Sequence, residues 1–518
     1  MMNGLSLELL KTKRRGIWLV FAALLGTIVL WGSANVSDAR FLKFGWRMVL
    51  YDLPLLNAIL IPTGIAVFAS RIIDMEHKGN TWKLLETLEG KFELYLAKVL
   101  YGLIAVLLFS IAELLLFAVI GLVVGFEGTP DLWAFGLSFV QTFAITLNLY
   151  LLQMLLSLLF ANQAVALCVG LCGSMAGLFL MYVPWPILKN IVPWGHYGAA
   201  MFVSMDWNKA QGIQGFYYVH QENGIFFFVI GWFVFLFAGG WYAFKNMDTD
   251  GCHLAFKRPA ATAQSTSHSA PLSGKPPASS PLPVELLKIK RSPIWLAFIV
   301  LPLISALIGT GNYLNNLEVL TSTWHSLWTQ HALFFCYFFM PPLVGVYASY
   351  LWRLEHNGTN WNMVLTTMPV WRLVWNKILL CTVITFCTLG WLCVLYLLCG
   401  LFAGITEPVP ASLLEWLACG VLGGTAVCAA QCFLSLVIRS FAVPIGMALI
   451  GGIGGLLFTS KGLYYLLPYS LMSMGMRANN PSIQVNLAQF AGWSVMFIVL
   501  FYLLSVWYIK CHDVRTQA

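Results

Sequence analysis

An acid and an imidazole stand side by side twice in this chain, in Glu76-His77-x-Gly79-x-x-Trp82 and in Glu355-His356-x-Gly358-x-x-Trp361, each time just after a long apolar run. Such a pair could relay a proton or hold a metal ion. The spacing suits neither, because neighbouring residues on a helix point about 100° apart. A zinc protease needs histidines at i and i+4 around its glutamate, and neither copy has the second one. The sequence also has no GxSxG, no Walker A string and no paired intramembrane aspartates. No catalytic residue, metal ligand or cofactor is therefore assigned, and the chain is not read as an enzyme.

The same residues suit a docking element. Gly79-Asn80-Thr81 and Gly358-Thr359-Asn360 supply a turn and N-cap oxygens ahead of a new short helix. In that helix Trp82, Leu85, Phe92 and Tyr95 pair with Trp361, Val364, Trp371 and Val374 on one face, while Lys83, Glu86 and Glu93 occupy the other. Gly90 and Pro369 mark the same break, after which a second helix leads through Lys98 or Lys377 into the next apolar run. A helix docked on a soluble partner and continuous with a membrane span converts partner motion into span tilt. A surface connector without a partner is the plainer alternative. Duplication favours docking, since a two-fold partner needs two equivalent elements.

The elements that must position these residues are themselves duplicated. A constant shift of 279 pairs Pro62 with Pro341, Ala69-Ser70 with Ala348-Ser349, Thr87 with Thr366 and Lys98 with Lys377. A shift of 277 pairs Glu8-Leu9-Leu10-Lys11-x-Lys13-Arg14-x-x-Ile17-Trp18 with Glu285-Leu286-Leu287-Lys288-x-Lys290-Arg291-x-x-Ile294-Trp295. Two tandem copies of one module follow, over 1–250 and 284–518. The segment 251–283 between them, rich in Ala, Ser, Thr and Pro, is expected to be a disordered cytoplasmic linker.

With 59 % hydrophobic residues, 10 % charged residues and a mean hydropathy of +0.78, the class is a polytopic membrane protein. Runs long enough to cross a bilayer, roughly 20 residues each, fall near 17–31, 49–70, 99–125, 132–160, 164–185 and 224–244. In the second half they fall near 294–310, 332–351, 378–404, 413–438, 441–459 and 488–509. Backbone groups in lipid must be satisfied internally, and no run alternates like a barrel strand. The expected fold is all-α, two six-helix modules with about twelve spans and cytoplasmic coupling helices.

Placing both termini in the cytoplasm puts every Lys and Arg inside except Arg40, Lys43, Arg47, Lys189, Lys209, Lys461 and Arg477. The net charge of +8 then reports loops beside anionic lipid, not nucleic-acid binding. The apolar run after Arg15 has no convincing cleavage site and is expected to remain as the first span of a multi-pass protein of the cell (inner or plasma) membrane. Most of the twelve cysteines sit inside spans, and no CxxC pair exists, so no disulfide framework is expected.

Charges within spans are costly, and Glu113 in span three is the clearest case. It is a candidate for the transport path, by contact with a cationic substrate or a proton, or else a packing group bonded to Gln141, Asn148 or Gln153 of span four. Asp52 and its counterpart His331 are expected at a wet outer end of span two. The segments between spans five and six carry many aromatic and Met residues, and Pro193-Trp194 and Pro468-Tyr469 mark equivalent re-entrant or interfacial helix starts.

The Glu-Leu-Leu-Lys-x-Lys-Arg start, the later Glu-His-x-x-x-x-Trp, the break and the final lysine resemble the permease subunits of lantibiotic-immunity and related peptide-antibiotic exporters of the type-2 ABC class. Each half looks like one complete permease, the two fused. The resemblance implies a partner: a separate ABC ATPase subunit in two copies, docked on 76–98 and 355–377, with Glu76, His77, Trp82, Lys98, Glu355, His356, Trp361 and Lys377 as coupling residues. It also implies outward movement of an amphiphilic antimicrobial peptide or drug from the membrane lipid. Lys83 becomes Asn362, and Gly90 stands where proline is expected, so the two couplings need not be equal. A membrane scaffold or sensor that recruits a soluble partner, and a proton-driven secondary transporter, are the competing functions.

Overall fold

Inside lipid a segment must satisfy its own N–H and C=O groups, and each apolar run of the chain forms a helix. The computed structural model describes residues 2–12, 18–35, 39–79, 82–160, 163–181, 186–208, 212–220, 224–246, 294–317, 320, 323–356, 360–478 and 484–512. The 251–283 linker and the second basic block, 285–291, lie outside the described residues. Residue contacts divide the chain into two units, Met1–Pro259 and Ala260–Ala518.

In the first unit an amphipathic helix, α1 (Met2–Thr12), precedes span one (Leu19–Asn35) and span two (Gly45–Gly79). A short elbow helix (Trp82–Leu88) turns the chain into span three (Lys91–Val124), followed by span four (Leu132–Leu159), span five (Gln163–Leu180) and span six (Gly224–Lys245). The second unit repeats the order. Span one is Ile294–Asn315, and span two runs from Trp324 through a π turn (Phe335–Phe339) to His356. The elbow helix is Asn360–Thr367, and spans three to six are Val370–Phe402, Leu413–Val437, Ala442–Ser460 and Leu487–Cys511. Among the described residues ten helices are long and apolar enough to cross a bilayer, and two shorter apolar stretches, Leu19–Trp31 and Ala166–Leu180, lie in spans one and five of the first unit. The protein is an all-α polytopic membrane protein.

Span two is the central helix of each unit. The apolar core of it is 89 % buried in both copies, against 17 % and 22 % for the two copies of span six. It packs on spans four and five in both units. Central burial explains how it holds Pro54 and Pro62: neighbouring helices, not lipid, surround the broken hydrogen-bond ladder. In the second unit the π turn widens the helix just before Pro341 and Pro342, and Gly452 of span five leaves room for the Tyr337 carbonyl, which a Cβ there would overlap.

The structure adds to or departs from the sequence-based expectations at several places. Span two continues to Gly79 and to His356, not to 70 and 351, so both Glu-His pairs lie on its last turns rather than in a following loop. Between spans five and six of the first unit an antiparallel hairpin forms, β1 (Val203–Asn208) with β2 (Gly212–Tyr218), Val203 opposite Tyr218 and a bulge at Asp206/Trp207. It lies against span two, where the ring of Phe216 packs 5.5 Å from that of Tyr51. Of the residues expected on one aromatic face, Trp82, Leu85, Tyr95, Trp361 and Val374 are buried, while Phe92 and Trp371 are 47 % and 49 % exposed. His331 is not wet: it is fully buried, with Nε2 at 2.9 Å from Thr310 Oγ1.

Candidate functional site

The elbow helix reverses the chain so that the last turns of span two face the second turn of span three. Glu76 and Lys98, 22 residues apart, meet there: Lys98 Nζ donates to Glu76 Oε1 at 3.1 Å. The same ammonium donates to Glu8 Oε1 of α1 at 2.9 Å, and Lys11 Nζ bridges back to Glu76 Oε1 at 2.6 Å and to Glu8 Oε1 at 3.3 Å. Among the described residues two carboxylates and two ammonium groups meet in this node. Removing one such ion from water costs several kcal/mol, roughly, unless partners replace the lost hydration. Mutual pairing of the four supplies that replacement.

Aromatic and hydroxyl groups fix the node to its neighbours. The Trp82 ring lies 5.4 Å from Lys98 Nζ, the Tyr101 hydroxyl donates to Thr12 Oγ1 at 2.9 Å, and the Tyr150 hydroxyl of span four donates to the Lys98 carbonyl at 2.8 Å. Gly102 permits that last approach, since a Cβ there would overlap the Tyr150 ring. α1 therefore buries Glu8 and Thr12 and leaves Leu9 and Leu10 exposed. This is the reverse of a soluble amphipathic helix and fits an element lying in the membrane interface.

The second unit builds the same contact. Lys377 Nζ donates to Glu355 Oε1 at 2.6 Å, again across 22 residues, and to the Leu351 carbonyl at 2.6 Å. Trp352 lies 5.2 Å from Lys377 Nζ and stacks on Trp361 of the elbow, centroids 5.7 Å apart at 21°. His356 turns away from Glu355 and donates from Nε2 to the Ser435 carbonyl of span four at 3.0 Å.

Of the residues singled out from sequence, the structure thus brings Glu76, Trp82 and Lys98 together, and likewise Glu355, His356, Trp361 and Lys377. His77 lies on the last turns of span two, but its side chain is outside the described part. Glu355 and His356 address different partners. Glu76, Lys98, Glu355 and Lys377 are all at most 1 % exposed. They hold the elbow from inside and do not present themselves to a docking partner. The exposed edge of the elbow carries Thr87 in one unit and Leu365 and Thr366 in the other. Thr87 and Thr366 are equivalent in the repeat.

Glu113 stands apart from the node, near the middle of span three. Its partner is Asn57 of span two, whose Nδ2 donates to Glu113 Oε2 at 3.3 Å, and not a residue of span four. Glu8 and Lys11 are the residues that sequence reasoning missed as site members. Their signal was present, because both belong to the repeated block at the start of each half.

A family model described as ABC-2 family transporter protein matches residues 4–177 and, a second time, residues 282–455. Each match starts at the α1 block, takes in the whole elbow and ends within span five. No curated protein matches the chain.

Proposed function

The chain belongs to the ABC-2 family of transporter proteins, and from that premise we propose that it is an exporter permease whose two elbows are driven by a separate ATPase. Membership makes it the membrane-spanning, non-enzymatic part of an ABC transporter, a family that normally pairs with an ABC ATPase subunit. In the reading proposed here two ATPase copies dock on the elbow helices from the cytoplasm, where both termini also lie, in the plasma or inner membrane. The substrate is an amphiphilic peptide or drug taken from the lipid, moved outward, with Glu113 as a contact along its path.

The single observation that carries the reading is the buried Glu–Lys contact at each elbow, 2.6 Å in the second unit and 3.1 Å in the first. A push on the elbow helix cannot be absorbed by bending at the turn, because span two and span three are pinned together just behind it. The push tilts both spans as one lever. Contact with the ATPase is assigned to the exposed edge at Thr87 and Thr366, and force transmission to Glu76–Lys98 and Glu355–Lys377.

Affinity purification of the tagged chain in mild detergent tests this. A stoichiometric ATP-binding subunit is expected with the wild type and with Glu76→Gln/Glu355→Gln, the latter uncoupled from transport, and is expected to be lost in Thr87→Arg/Thr366→Arg. A folded chain that brings down no nucleotide-binding subunit overturns the reading in favour of a scaffold or proton-driven carrier.

A further inference from the structure

On the face opposite the elbow helices, the segment that follows span five folds back onto the bundle in both units. In the second unit this is the helix Pro468–Gly475, whose Tyr469 ring lies across span five where two glycines form a notch. A Cβ on Gly451 would overlap that ring, and one on Gly455 would stand 3.0 Å from Tyr469 Cβ. In the first unit the short turns Pro186–Ile191, Pro193–Gly195 and His196–Ala199 take its place, with Trp194 in the notch. A Cβ on Gly173 would overlap the indole, and one on Gly177 would stand 2.5 Å from the Trp194 carbonyl oxygen. The register of the two family matches, 4 against 282, sets Gly173 on Gly451, Gly177 on Gly455 and Gln153 on Gln431. One seat has therefore been kept twice.

The occupants are fastened differently. In the second unit Gln431 of span four hydrogen-bonds the Tyr469 hydroxyl, deep in the bundle. Trp328 of span two donates to the Met476 carbonyl at 2.8 Å, and Ser473 lies 3.2 Å from Thr459 of span five. In the first unit the indole offers no hydroxyl at the depth of Gln153. Among the described residues neither amide atom of Gln153, which is fully buried, nor Trp194 Nε1 has a hydrogen-bond partner. Among the described residues the segment is tied to span four by hydrogen bond nearer its outer end, where Tyr197 OH lies 2.6 Å from Thr146 Oγ1. Gln431 Oε1 likewise has no partner among the described residues, so the two copies differ by the one bond from the amide N–H, and the amide that lacks it makes its seated state less favourable.

We propose that the two post-span-five segments are plugs in the outer half of the permease, and that the second-unit plug is latched by Gln431–Tyr469 while the first-unit plug, lacking that bond, is the one that opens. Their role as gates rests on the permease reading; the difference in latching does not. Tyr469 thus acts as a lock residue and Gln153 as its unused half in the other copy.

Amide hydrogen exchange of the purified full chain in lipid nanodiscs, without nucleotide or substrate, tests the inference. The wild-type segment 190–199 is expected to exchange faster than 468–477. Tyr469→Phe, which removes one hydroxyl and keeps the ring, should speed exchange of 468–477 about tenfold, the size of one buried hydrogen bond. Trp194→Tyr should supply the missing hydroxyl and slow 190–199, and Gln153→Leu added to it should erase that slowing. Equal exchange of the two wild-type segments, or no response of 468–477 to Tyr469→Phe, overturns the proposal. Since the measurement involves no transport, it can fail while the permease reading stands, and it can succeed while that reading falls.

Discussion

Lys377 Nζ lies 2.6 Å from Glu355 Oε1 with neither side chain reaching solvent, and the same two residue types meet across the same 22-residue interval in the first unit. The contact closes a loop made of the end of span two, the elbow helix and the start of span three. A buried ion pair contributes little net stability, because desolvation offsets most of the attraction. Its effect is orientational: breaking it leaves a buried charge, so the two spans are held in one arrangement.

Loss of different members of the first node should therefore have unequal costs. Lys98→Met removes the fully buried ammonium from between Glu8 and Glu76 and leaves the part-exposed Lys11 to pair with both, and a cost of about 3–5 kcal/mol is expected. Glu76→Gln should cost less, because Lys11 is 24 % exposed and can carry its ammonium group to water. Unfolding of the purified chain in detergent, followed for both variants, checks the order.

Gly90 should accept proline. Its φ of −65° and ψ of 148° match those of Pro369 at the same break, −69° and 145°, and a side chain there meets open space. The glycine uses none of its conformational freedom, so Gly90→Pro should stabilise the chain by roughly 0.4–1 kcal/mol by restricting the unfolded state. A lowered thermal midpoint for this variant would show that the Gly90 N–H is needed.

A buried histidine outside the spans gives stability a sign with pH. Burial pushes His196 down to about 4, its Nε2 donating to the Asn190 carbonyl at 2.8 Å. As pH falls below the usual histidine value, the unfolded chain takes up protons that the folded chain refuses, so stability falls. For His196 the window runs from 6.5 to about 4, at a rate near 1.4 kcal/mol per pH unit. His196→Gln, which keeps an N–H donor, should flatten the thermal midpoint against pH between those values.

Glu113→Gln keeps a partner for Asn57 and should leave the unfolding midpoint within about 1 kcal/mol of wild type. If the carboxylate meets a cationic substrate, efflux of that substrate falls while efflux of a neutral one does not. Equal loss for both would assign Glu113 to packing.

Much of this was legible in the chain alone. Hydropathy and the repeat are local properties, and they are enough to determine an all-α polytopic fold with a repeated module, an elbow helix in each copy and the recurrence of Glu, Trp and Lys around it. The tertiary structure decided what those residues face. Glu76 turns inward to Lys98 and shares it with Glu8, Glu113 finds Asn57 on the central helix instead of span four, and Tyr469 reaches Gln431 while Trp194 leaves Gln153 without a bond. Spacing along one helix says which side chains share a face. Which face abuts which neighbour, and at what depth, depends on how several helices pack at once around span two, and no single stretch of sequence carries that information.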